Sequence, residues 1–152
     1  MTPKIFALLF AWLLVVSVAF TACKDEEPDP VEPNMSATVT TPVVGTSNFT
    51  ATTVVATVQG ATLSITGTAA GSNVTLSFAD NGTTGIRNIA VAGPAYATYT
   101  ESTNSFTGTT GTIDIDTWDT TAKTITGTFE FTAQTGVGTT KTLSEGSFAA
   151  TY

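Results

Sequence analysis

The chain has 152 residues, enough for one modest core beside a short leader. Five Lys and Arg face twelve Asp and Glu, a formal charge of −7, so no basic surface is present to hold nucleic acid. His is absent and Cys occurs once, which removes the commonest general base, an internal disulfide and a Cys- or His-based metal site.

Lys4 is the only charge before position 24, and Ile5 to Ala22 is an almost unbroken apolar run. A positive start, an apolar middle and a small residue before the cut describe a secretory signal over residues 1–22. The run is also about the length of a minimal membrane span. An uncleaved membrane helix and an ordinary secretory cut that leaves a free thiol are therefore the competing readings. Phe20-Thr21-Ala22-Cys23 resembles the lipobox of bacterial lipoproteins, with Phe where Leu is usual. The resemblance implies that the Cys23 thiol receives a diacylglycerol, that the chain is cut before it, and that the new amine is acylated. One acyl chain binds a membrane only marginally, whereas two or three on one residue hold it firmly.

Residues 24–34 read KDEEPDPVEPN. Such a stretch cannot bury enough apolar surface to offset its ordering entropy, so it is expected to be disordered. Its prolines keep it extended, with a reach of about 3 Å per residue. The expected organisation is a signal peptide (1–22), the lipidated Cys23 with an acidic tether (23–34) and an all-β domain (35–152). Lys24-Asp25-Glu26-Glu27 resembles the acidic export signal of surface lipoproteins of the Bacteroidetes type. That resemblance implies a lipid-anchored protein of the outer membrane, exposed at the cell surface.

Threonine makes up about a quarter of the residues after Cys23, and it is β-branched and favours strands. From Met35 onward apolar residues alternate with period two, and no helical stripe occurs. Met35, Ala37 and Val39 share one face of a first strand, and Val54, Ala56 and Val58 one face of a second. Gln59-Gly60 turns the chain into Leu63, Ile65 and Gly67. Ala70-Gly71-Ser72-Asn73 turns it again into Val74, Leu76 and Phe78. Asp80-Asn81-Gly82 is a turn signal because Asn-Gly accepts positive φ. A fifth strand follows near Ile86 to Val91, and Gly93-Pro94 breaks it. Ala95 to Glu101 is the sixth, with Tyr96 and Tyr99 on opposite faces.

Ser102 to Gly111 is expected to be a polar loop with one apolar residue, Phe106. In the seventh strand Ile113 and Ile115 point inward, while Asp114 and Asp116 point out. Asp119-Thr120-Thr121-Ala122 turns it back. Ile125, Gly127, Phe129 and Phe131 make the clearest inward row. The last strand is expected from Leu143 to Tyr152, with a β-bulge at Glu145-Gly146 because Leu143 is out of phase with Phe148 and Ala150.

The predicted fold class is all-β: an antiparallel meander of about nine strands forming a sandwich or flattened barrel, behind a signal helix and the disordered tether. The segments TITGTFEFTA, GSFAATY, ATLSITGTA and AYATY resemble a domain-of-unknown-function family of Bacteroidetes lipoproteins. The resemblance implies a lipobox and an all-β domain of about this length, and brings no catalytic residues with it.

Candidate sites are few. Asp114, Asp116 and Asp119 place two carboxylates on one strand face, yet lack the further ligands a calcium loop needs. Trp118, with Tyr96 or Tyr99, would make a stacking platform for a glycan. Asp119-Thr120-Thr121 resembles a bacterial O-glycosylation motif with Thr120 as acceptor, whereas Asn-x-Thr at Asn48, Asn73 and Asn81 carries little weight in a bacterium. Glu101 with Glu130 is the acid pair considered for glycoside hydrolysis, and no nucleophile–base constellation accompanies it. The reading is a monomeric, non-enzymatic binding or structural module held at the cell envelope through Cys23, without cofactor, metal or nucleic acid. The alternatives are a small-ligand carrier with a lipocalin-like barrel cavity and a glycan-binding module built on Trp118.

Overall fold

The structure is a computed structural model and describes residues 30–152. The expected signal peptide, Cys23 and the tether as far as Asp29 lie outside the described residues. Every regular element among the described residues is a strand. In chain order they are β1 (Asn34–Thr41), β2 (Gly45–Thr50), β3 (Thr53–Gln59), β4 (Thr62–Ala69), β5 (Ser72–Ala79), β6 (Gly85–Ala90), β7 (Ala95–Glu101), β8 (Asn104–Asp119), β9 (Thr124–Gln134) and β10 (Thr140–Thr151).

The all-β reading holds, and its finer shape is corrected. Among the described residues there is one sheet of ten strands and not two packed layers, in the order β2-β1-β10-β9-β8-β6-β7-β5-β4-β3. It curls into a half-barrel with the apolar faces inside. The two edge strands, β2 and β3, are consecutive in the chain and joined by Ala51-Thr52. The Ala51 amide donates to Met35 O in β1 (2.8 Å), and the Thr52 amide donates to Thr68 O in β4 (2.7 Å). Both ends of the sheet therefore meet on one segment.

The sheet is also not purely antiparallel. β6 and β7 both run antiparallel to β8 along the same flank, so they are parallel to each other and pair only at Ile89 with Ala95. Gly93-Pro94 interrupts this run without reversing it. The expected polar loop Ser102–Gly111 is for the most part strand. β8 is sixteen residues long, and Phe106 within it is buried. Its irregular register near Gly108 and near Ile115 lets so long a strand follow the curl.

The predicted inward rows are found where the alternation placed them. Met35, Val39, Leu63, Ile65, Val74, Leu76, Phe78, Ile113, Ile115 and Ile125 are each no more than 1 % exposed. The first two strands of that reading needed one more between them: β2, whose single buried residue is Phe49. Val54 and Ala56 of β3 are half-buried against the core, while Val58 is exposed.

Large inward residues are accommodated by glycine. Phe148 of β10 pairs across the ladder with Gly127 of β9, and Phe129 of β9 pairs with Gly146 of β10. A Cβ on Gly127 would stand 2.7 Å from the Phe148 ring, and one on Gly146 would stand 2.6 Å from the Phe129 ring. Each ring thus covers the opposite backbone. The bulge predicted at Glu145-Gly146 is present, since the β9–β10 register slips between Leu143 and Gly146, with Glu145 at φ 52.

The outer face explains the threonine. Ser64 with Ser77, Thr66 with Thr75, and Thr117 with Thr126 are hydroxyl pairs at 2.7–3.1 Å across neighbouring strands.

Truncating Phe129 to Ala leaves a void that the opposing glycine backbone cannot fill, and costs about 3–5 kcal/mol. Urea unfolding should show this loss for Phe129→Ala. A wild-type midpoint would place the residue outside the core.

Candidate functional site

Lys141 is the one charged residue among the described residues that the fold buries. It lies two positions before Leu143 on β10, so the same period-two phase that points Leu143 inward points Lys141 inward. An ammonium in such a place needs a partner. Its Nζ donates to Glu101 Oε2 at 2.7 Å, with the lysine side chain 8 % exposed and that of the glutamate 43 %. The hydroxyl of Tyr99 donates to the other oxygen, Oε1, at 3.1 Å. The rings of Tyr99 and Phe106, 5.9 Å apart, each lie 5.4 Å from the ammonium, which gains cation–π attraction from both faces.

Strand pairing makes this cluster. β7 brings Tyr99 inward and ends at Glu101, the turn at Ser102-Thr103 reverses the chain, and β8 returns Phe106 opposite Tyr99. The hydrogen bond from Lys141 is the main cause that holds the Glu101 carboxyl below the usual range. Burial, followed by the charge of Glu101, pushes the Tyr99 phenol up to about 12.

The ion pair forms the floor of an open groove of about 350 Å³. Its walls come from the β1–β2 turn (Thr41, Val44, Thr46, Ser47), from Asn104 at the start of β8 and from Thr139 before β10. At the tip of the first wall Val43 adopts φ 76, costly for a β-branched residue, and both Val43 and Val44 are exposed. A second groove, of about 410 Å³, lies on the outer face of β6, β8, β9 and β10, where Asp114, Glu130 and Glu145 line it. Glu101 and Glu130 therefore belong to different grooves.

The groove and the N-terminal start of the domain occupy opposite ends of β1. Asn34 pairs with Ala149 near the C-terminus, whereas Thr41 ends at the groove.

Of the other residues singled out from sequence, Trp118, Asp119 and Thr120 lie toward the N-terminal end. Trp118 does not stack with Tyr96 or Tyr99. Tyr96 is on the outside of β7, and Tyr99 belongs to the buried cluster. The Trp118 indole N–H donates to the Tyr152 hydroxyl at 2.7 Å, and its ring meets Phe78 edge-on at 5.8 Å. Thr120 is exposed in the β8–β9 turn. Asp119 is used in that turn, because its Oδ1 accepts from the amides of Thr121 and Ala122, both at 2.8 Å. Those two amides hold its carboxyl below the ordinary value. Among the described residues no three carboxylates converge on a point where a metal would sit.

The sequence does not reveal the Lys141–Glu101–Tyr99 cluster when the last strand is taken to begin at Leu143. Stepping that alternation back by two would have reached it.

The cluster predicts a pH response at each extreme. The Tyr99 pKa is raised on folding, so its contribution is complete below pH 10 and is lost as the pH rises through about 12. The Glu101 pKa is lowered on folding, so its contribution is present at neutral pH and lost as the pH falls through its depressed value. Thermal melts should show the alkaline loss in the wild type and not in Tyr99→Phe. Glu101→Gln should cost about 1–2 kcal/mol at neutral pH, less than for a fully buried pair because solvent already screens the carboxylate.

No curated protein and no solved structure matches the chain. A family model, a domain of unknown function (DUF6252), matches residues 41–151, from the end of β1 to the end of β10. The chain accordingly belongs to the DUF6252 family.

Proposed function

We propose that this chain is a lipid-anchored, non-enzymatic binding module of the bacterial outer membrane, held by Cys23 and displayed at the cell surface. The observation that carries this reading is the polarity of the domain. Its N-terminus leaves beside Ala149, and the groove over Lys141 and Glu101 opens at the other end of β1. A tether attached at Asn34 would join the domain at the end of β1 that is remote from the groove. The lipobox-like segment supplies the anchor, and the acidic, proline-rich residues 24–34 supply the spacing.

A binding role suits the groove better than catalysis. Among the described residues that line it, the one carboxylate is Glu101, and that is paired with Lys141. The carrier alternative asks for an apolar interior cavity. Here the inward face is occupied by Phe78, Phe106, Phe129, Phe131 and Phe148, all buried. Thr120, exposed in its turn, is proposed as an O-glycan acceptor.

Metabolic labelling with an alkyne fatty acid should tag the wild-type chain and leave Cys23→Ala untagged. Equal labelling of the two would remove the anchor. Intact mass of the native chain should exceed the peptide and lipid mass by a glycan that Thr120→Ala lacks. An unmodified mass excludes that role for Thr120.

A further inference from the structure

The groove at the end of β1 has a composition that selects among ligand classes. Its floor holds one ammonium and one carboxylate, 2.7 Å apart, so it carries no net charge. An anion drawn to Lys141 would also meet the Glu101 carboxylate, and a cation drawn to Glu101 would also meet the Lys141 ammonium. For a charged ligand the attraction of one group is therefore opposed by the repulsion of the other. An apolar ligand would cover Glu101 and the wall hydroxyls without hydrogen-bonding them, at about 1–3 kcal/mol for each group left unmade.

The floor still has capacity for hydrogen bonds. Lys141 Nζ carries three N–H bonds, and among the described residues its one acceptor is Glu101 Oε2. The Glu101 oxygens each receive one donor, from Lys141 and from Tyr99, and each keeps a further lone pair. Thr46, Ser47 and the Asn104 amide add groups that both donate and accept. Val44, exposed on the same β1–β2 wall as Thr46 and Ser47, offers an apolar surface for C–H groups. Donors and acceptors beside one exposed apolar side chain match a ring whose edge is hydroxyl and whose face is C–H.

We propose that this groove binds a neutral saccharide, with Glu101 and Lys141 bridging adjacent ring hydroxyls and Val44 against the ring face. The assignment rests on the binding-module reading above, and moves the glycan site away from Trp118 to the other end of the domain. Its volume of about 350 Å³ is at the lower end of small-molecule sites, so one or two sugar rings at a chain end fit better than a long internal run.

The test uses the full chain in detergent micelles, titrated with maltohexaose, cellohexaose and chitohexaose, and with hexagalacturonate as the charged comparison. Isothermal calorimetry and saturation-transfer NMR read the binding. At least one neutral hexasaccharide should bind with a Kd below about 1 mM, and hexagalacturonate at least about tenfold more weakly. The double variant Thr46→Val/Asn104→Ala touches only exposed wall residues and should melt like the wild type while binding about tenfold more weakly. Trp118 fluorescence should not change on binding, because that residue lies at the other end. Failure of all three neutral sugars to bind, equal binding of the charged one, or undiminished binding by the double variant overturns the proposal. Loss of the fatty-acid label with sugar binding intact would instead overturn the anchor alone.

Discussion

A sheet with two free edges invites pairing with other chains, and a small domain must deal with both edges at once. Here both are met by Ala51-Thr52, which donates one amide to β1 and the next to β4. Because β2 and β3 are halves of one bent run, the curl of the sheet and the path of the chain are a single constraint. The inward rows of β1 and β4 then face each other closely enough that a side chain at Gly67 would collide with Met35. The core is small for the same reason. A tight curl leaves room for Ala, Val and Ile, and glycine stands opposite Phe129, Phe131 and Phe148.

That geometry also creates the groove. A strand row pointing inward reaches the rim at its ends, where the side chain is still enclosed but water is near. Lys141 occupies such a position at the start of β10, Tyr99 near the end of β7, and Phe106 near the start of β8. A lysine there can be held only by a carboxylate at the same height, and Glu101 is the residue the β7–β8 turn delivers. The pair is thus a consequence of how three hairpins terminate at one end. Its partial exposure, with the carboxylate far wetter than the ammonium, distinguishes it from a purely internal ion pair, whose desolvation cost tends to cancel its attraction.

Much of the fold was legible residue by residue. Leu63 and Ile65, Val74 and Leu76, and Ile125, Phe129 and Phe131 alternate with polar residues so regularly that their faces followed from period two alone. The bulge at Glu145-Gly146 was legible too, as a phase slip between Leu143 and Phe148. Ser102–Gly111 was not, because Thr, Gly, Ser and Asn serve both loops and outer strand faces, and one Phe does not establish a period. The strand around Phe49 was hidden similarly. Gly93-Pro94 read as a break, because local breakers signal an interruption, and whether the chain turns back afterwards depends on which flank of β8 is free.

The amino-acid sequence was enough to establish an acidic, His-free chain with an apolar run before its one cysteine, an acidic, proline-rich run after it and a strand-only domain. These follow from composition and local periodicity, which act over a few residues. The single curled sheet, the meeting of its edges at Ala51-Thr52 and the parallel contact of β6 with β7 were decided only in three dimensions. So was the joining of Glu101 to Lys141, forty positions apart. Each depends on which distant strands share a ladder, and the period-two signal carries no information about partners.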